Sequence, residues 1–247
     1  GALLAAVAPA AVWYDQETRM YALLVTLVAL SLDRFLAFLE QRGRPFLAWS
    51  GWVLATVFAA WTHFYGLFVV AAEVLVATGW LLGRRRAVVR PGLALAAGVV
   101  LVALAYLPWL GPATTRLDAD ESYYQGTLSL IQVLRETATL LAVGSTLDGP
   151  LATVGLGLFW LSVAVGAWAW RRRPLGAMLL LLAVVVPLLL LLAVSWNRPK
   201  FHPRYLLVTL PAVQALAATG LAWFLTVRPR RLRPLGSGVA VALAPSL

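Results

Sequence analysis

From Leu175 to Trp196 the chain runs for 22 residues without a charged side chain. A helix of that length reaches about 33 Å at 1.5 Å per residue, enough to cross the roughly 30 Å hydrocarbon core of a bilayer. The pattern recurs. Spans are predicted near Tyr21–Phe38, Phe46–Thr62, Tyr65–Leu82, Gly92–Leu110, Leu151–Trp170, Leu175–Trp196 and Tyr205–Val227, with half-spans at Gly1–Ala11 and Leu235–Leu247. The sequence is 62% hydrophobic and 12% charged, against roughly 45–50% and 25% in soluble domains. One water-soluble core cannot hide such an excess. The expected fold is therefore all-α: a polytopic transmembrane helix bundle, one domain over residues 1–247. The chain opens at Gly1 without Met inside one apolar run and stops at Leu247 inside another. Both ends are expected to be cut transmembrane helices.

Two features test the span count. Phe46–Thr62 and Tyr65–Leu82 are separated only by His63-Phe64. Fused, they would make a helix about 55 Å long, too long for the bilayer core, so a hairpin is predicted. Pro187 and Pro211 fall inside spans, where a kink is expected and tolerated in a membrane.

Alternating the loops separates the charges. One set (41–44, 84–90, 171–173 and 228–233, with Asp33, Arg34 and Glu40) holds 14 basic and 2 acidic residues. The other set (13–19, His63, 111–149 and 195–204) holds 6 basic and 7 acidic residues. Basic loops stay cytoplasmic on insertion, so the first face is read as inside. The Arg clusters then act in topogenesis. The net charge of +10 does not call for nucleic acid as a partner. With no cysteine, disulfides, thiolate metal sites and Cys nucleophiles are excluded.

The unusual polar residues collect on the second face. In Trp13-Tyr14-Asp15-Gln16-Glu17-Thr18-Arg19, charges at a helix centre would cost about 2.5–3.5 kcal/mol each. The segment therefore lies at the interface or lines a wet cavity. If it begins the next helix, Asp15 and Arg19 are i,i+4 neighbours and can pair. Asp15 and Glu17 would point to different faces, so no metal site is implied. An acidic, aromatic-anchored helix start fits the same residues.

Asn197-Arg198-Pro199-Lys200-Phe201-His202-Pro203-Arg204-Tyr205 is basic on the face that should be poor in base. A bound anion would explain it, as would headgroup contacts from snorkelling side chains. Thr62-His63-Phe64-Tyr65-Gly66 reads as an interfacial turn with aromatic anchors. Glu73, in mid-span, is either a functional acid or a protonated, hydrogen-bonded packing residue. In the long loop 111–149, Asp118, Asp120 and Glu121 read as solvated. Ser129 and Gln132 suggest a capping box. Leu130, Ile131, Leu134, Ala138 and Leu141 share a face, predicting an amphipathic helix on the membrane surface or packed on span ends.

In order and spacing, three segments resemble a known family: Pro9…Tyr14-Asp15-Gln16-Glu17-Thr18-Arg19-Met20-Tyr21-Ala22-Leu23, Thr62-His63-Phe64-Tyr65-Gly66-Leu67-Phe68, and Pro203-Arg204-Tyr205-Leu206-Leu207…Pro211-Ala212. They look like the bacterial relatives of protein O-mannosyltransferases and lipid A aminoarabinose transferases, membrane glycosyltransferases of the GT-C fold, family 39-like. The resemblance runs to about Trp223. It implies a multi-pass cell-membrane enzyme that moves a sugar from a polyprenyl-phosphate donor to a glycan, lipid or protein acceptor on the extracytoplasmic face. No cofactor is assigned, and a divalent metal requirement is left open.

The family's catalytic carboxylate belongs to an outer loop upstream of Gly1, so the resemblance assigns no base here. It implies an active-site cavity bordered by Tyr14, Asp15, Glu17, Arg19, His63 and Tyr65. The carrier phosphate would meet Arg204 and Tyr205, with Arg198, Lys200 and His202 nearby. Fixed cations there would stabilise a phosphate leaving group. A transporter or lipid flippase is the alternative, since Glu73 and proline-broken helices also suit one.

Overall fold

The computed structural model describes residues 8–16, 20–83, 89–119, 129–144, 149–195 and 201–226. The described residues form an all-α polytopic bundle with no strand. In chain order the helices are α1 (Pro9–Gln16), α2 (Tyr21–Leu39), α3 (Pro45–Thr62), α4 (Gly66–Gly83), α5 (Val89–Ala119), α6 (Leu130–Val143), α7 (Pro150–Trp170) and α8 (Pro174–Val194). A 3-10 helix (Pro203–Thr209) then leads into α9 (Leu210–Thr226). Seven of the segments are long and apolar enough to cross a membrane: α2, α3, α4, α5 as far as Pro112, α7, α8, and the 3-10 helix with α9.

Local chemistry sets several boundaries. α3, α7 and α8 each begin on proline, whose missing N–H is not needed in a first turn. The α2–α3 turn uses Gln41 and Gly43 at positive φ. The α3–α4 hairpin closes over His63–Tyr65, with Gly66 N–H donating to the His63 carbonyl at 2.8 Å. A Cβ on Gly66 would sit 2.8 Å from the Ala59 carbonyl, so only glycine lets the two helices meet this closely.

Packing is built around α2, which lies against α3 and also meets α4, α8 and α9. Phe35 and Trp52, both buried, pack at 5.2 Å between ring centroids in the α2–α3 contact. α7 is peripheral, with only Ser162 and Gly166 buried, and it is held mainly by α9. Large apolar side chains such as Phe46, Leu82 and Leu151 face outward, as suits helices solvated by lipid rather than water.

Different aromatic contacts mark the two ends of the bundle. At one end the rings of Tyr21, His63 and Tyr205 meet. At the other, Trp168 meets Trp223, and Trp170 Nε1–H donates to Thr219 Oγ1 at 2.9 Å.

Four expectations are corrected or refined. The charged segment after α1 does not open the next helix: α1 ends at Gln16 and α2 starts at Tyr21, so Asp15 lies in a last turn, where a carboxylate opposes the helix dipole. The loop 111–149 begins as helix: α5 continues past the apolar stretch, through Pro108 and Pro112, to Ala119. Pro211 does lie inside the Pro203–Thr226 span, but in the first turn of α9 just past the 3-10 segment rather than in the interior of an α-helix. The capping box does not form. Ser129 is the N-cap of α6 without a side-chain cap bond, and Gln132 Nε2 donates instead to Glu136 Oε1 at 2.7 Å.

Helix α6 packs against neighbouring elements, the second of the two expected placements. Val133, Leu140 and Leu141 are buried, and α6 contacts α1, α7 and the 3-10 helix. Leu130, Ile131 and Leu134 stay exposed along the same helix.

Candidate functional site

The hairpin tip and the 3-10 helix, distant in sequence, build one corner of the bundle. The His63 and Tyr65 rings stack at 4.8 Å with an interplanar angle of 11°. Tyr65 packs on Tyr205 at 4.8 Å, and Tyr21 from the start of α2 closes on His63 at 5.9 Å. His202 lies 6.0 Å from Tyr205. The Arg204 guanidinium carbon is 5.8 Å from the Tyr205 ring centroid, within cation–π range. Among the described residues, the corner is thus an aromatic floor carrying one cation.

Both histidines act as local caps. His63 Nδ1 accepts from the Tyr65 backbone N–H at 3.3 Å. His202 Nδ1 accepts from the Arg204 N–H at 3.2 Å and is the N-cap of the 3-10 helix. A ring nitrogen that accepts carries no proton, so each neutral imidazole bears its hydrogen on Nε2. Burial, and then the Arg204 charge, lower the His63 pKa from 6.5 to about 4. His63 is therefore neutral near pH 7 and a weak base. An anion on Arg204 would relieve the second of those causes.

Beneath the corner lies an apolar cavity of about 300 Å³. Leu134 and Leu141 of α6, Trp160 of α7, Leu188 of α8 and Leu206 and Thr209 of the 3-10 helix line it. The 3-10 segment that carries Arg204 also walls this cavity one turn further on, through Leu206 and Thr209. Trp160 braces α7 against α6 by donating to the Ala138 carbonyl at 3.2 Å.

Of the residues picked out from sequence, His63, Tyr65, His202, Arg204 and Tyr205 come together here. Tyr14 and Asp15 fall on the last turn of α1, and their side chains lie outside the described set. Glu17, Arg19, Arg198 and Lys200 lie outside the described residues. No group of three His, Asp or Glu suited to a metal occurs among the described residues. Sequence reasoning missed Tyr21 as part of the corner and the cavity-lining role of α6. The signal for Tyr21 was present, since it stands at the outer end of a span beside the charged segment. A search against protein-family models, curated proteins and solved structures finds no significant match to this chain.

Glu73 lies apart from this corner, fully buried in mid-span. It accepts from Trp52 Nε1–H at 2.9 Å and contacts Ser31 Oγ at 2.6 Å. Every polar atom of its carboxyl is engaged with a neighbouring helix.

Proposed function

We propose that this multi-pass membrane protein is a glycosyltransferase of the family 39-like GT-C kind, taking a sugar from a polyprenyl-phosphate donor on the extracytoplasmic face. The observation that carries the reading is the 3-10 helix Pro203–Thr209. It presents Arg204 at an aromatic corner and, through Leu206 and Thr209, walls an apolar cavity between helices. A lipid phosphate has those two parts: a charged head for a guanidinium fork and a tail that needs a dry groove. As the sugar leaves, negative charge builds on the phosphate oxygens, and a fixed cation stabilises it without reorganisation. The face assignment rests on the 14-to-6 division of basic residues.

The transporter reading loses its main support, because Glu73 is closed off by hydrogen bonds among packed helices and does not line the cavity. The test is transfer. Purified protein in liposomes is given radiolabelled polyprenyl-phosphate sugars, and binding and release of label from the carrier are followed. Saturable binding of a donor supports the reading; no binding of any donor of this class overturns it.

A further inference from the structure

Glu73 on α4, Ser31 on α2 and Thr56 and Trp52 on α3 form a polar chain inside an otherwise apolar bundle. Three oxygen–oxygen contacts run in series. Glu73 Oε1 lies 2.6 Å from Ser31 Oγ, Ser31 Oγ lies 2.8 Å from Thr56 Oγ1, and Thr56 Oγ1 lies 2.7 Å from the Trp52 carbonyl oxygen. Each contact needs a proton of its own. The two hydroxyls supply one each and the carbonyl supplies none.

With an ionised carboxylate, two protons must serve three contacts. Ser31 then donates to Glu73 and Thr56 to the Trp52 carbonyl. The two hydroxyl oxygens are left facing each other at 2.8 Å with only lone pairs between them. A proton on Oε1 completes the series: Glu73 donates to Ser31, Ser31 to Thr56, and Thr56 to the Trp52 carbonyl. Oε2 becomes the acid's carbonyl oxygen and accepts the Trp52 indole N–H at 2.9 Å.

We infer that Glu73 is an intramembrane proton-binding site, a neutral carboxylic acid whose proton completes the hydrogen-bond chain joining α2, α3 and α4. Among the described side chains, no charge is placed to hold the ionised form. The side chains that meet Glu73 are Ser31 of α2 and Trp52 of α3, both uncharged. α3 has no titratable residue and neither has α8, which packs along α4. On α5, which also touches α4, Arg90 is exposed at the far end and Tyr106 is uncharged. Asp33 and Arg34 of α2 pair with each other on the exposed side. An unpaired charge at this depth is expensive, whereas the neutral acid meets only partners it can satisfy. The proton is thus a structural ligand of the helix packing and is independent of the transferase reading.

The experiment is infrared spectroscopy of the full chain in lipid nanodiscs at pH 7, with glutamate carboxyls labelled with ¹³C. A carboxylic-acid C=O band from a labelled glutamate is expected in the parent and absent in Glu73→Gln, whose amide can donate to Ser31 and accept from Trp52. Removing the acceptor in Ser31→Ala should shift that band. If Glu73→Gln does not fold, the parent and Ser31→Ala decide. A parent with no acid-form glutamate, or a band that survives Glu73→Gln or ignores Ser31→Ala, overturns the inference.

Discussion

Gly166→Ala should be among the most damaging single-methyl additions in this bundle. Helices α7 and α9 touch backbone to backbone. A Cβ on Gly166 would lie 1.9 Å from the Leu216 carbonyl oxygen, and one on Gly220 would lie 1.8 Å from the Ser162 carbonyl oxygen. Ordinary contact needs about 3.4 Å, so the helices must part by roughly 1.5 Å at this crossing. Such a step forfeits a large part of the dispersion energy along the seam and the close Cα–H···O contacts that glycine permits. The buried residues of α7 are only Ser162 and Gly166, so this crossing is the centre of its packing. Overpacking of this kind costs about 1–3 kcal/mol, and the upper part of that range is expected here.

The control is Gly157→Ala on the same helix, where an added Cβ meets nothing within 4 Å. It should be neutral or slightly stabilising, since alanine is the better helix former by about 0.5–1 kcal/mol. Thermal unfolding in detergent, read by loss of monodispersity, gives the order. The double variant Gly166→Ala/Gly220→Ala should cost less than the two singles added together, because one separation relieves both clashes. Equal melting of Gly166→Ala and Gly157→Ala would refute the close-approach reasoning. Full additivity of the pair would show that the two glycines do not share one crossing.

Two further outcomes follow from the site and the topology. His63 has a pKa lowered from 6.5 to about 4 in the fold, so its stabilising contribution is complete above pH 6.5 and is lost as pH falls toward 4; the full loss is about 3 kcal/mol. Unfolding of the parent should therefore become easier over that interval, and His63→Asn, which keeps a side-chain acceptor without a titrating ring, should flatten the fall; identical pH profiles would refute the assignment. In this cysteine-free chain, single cysteines at Ser129 and Gln41, both exposed and at opposite ends of the bundle, should label from outside and from the cytoplasm respectively; the reverse pattern would invert the topology.

The membrane spans were legible because bilayer thickness imposes a length and charged residues mark the ends. Tyr21–Phe38 became Tyr21–Leu39, and Leu175–Trp196 became Pro174–Val194. The hairpin at His63 was legible from length alone. Helix α1 was not, since its eight residues cross from an apolar run into a charged one and follow neither pattern. The sequence named His63, Tyr65, Arg204 and Tyr205 separately, but not that they share a corner, because ring contacts between remote segments leave no local signature. The partners of Glu73 were hidden for the same reason: a serine, a threonine and a tryptophan on apolar helices are unremarkable until packing aligns them. Gly166 and Gly220 are two of 19 glycines, and only the α7–α9 contact separates them from the rest.

The central claim is that Arg204 holds the phosphate of a lipid-linked donor. The direct measurement is the equilibrium affinity of the purified protein for a polyprenyl-phosphate sugar, compared across Arg204→Lys, Arg204→Ala and Arg172→Ala. Each variant is checked for monodispersity first. A charge-assisted contact contributes about 1.5–3 kcal/mol, so Arg204→Ala should weaken binding roughly ten- to hundredfold. Arg204→Lys keeps the charge but loses the planar fork and should fall between Arg204→Ala and the parent. Arg172, exposed at the other end of the bundle, should be replaceable by alanine with donor affinity unchanged. Parental affinity in a folded Arg204→Ala, or an equal loss in Arg172→Ala, would contradict a specific phosphate site at Arg204.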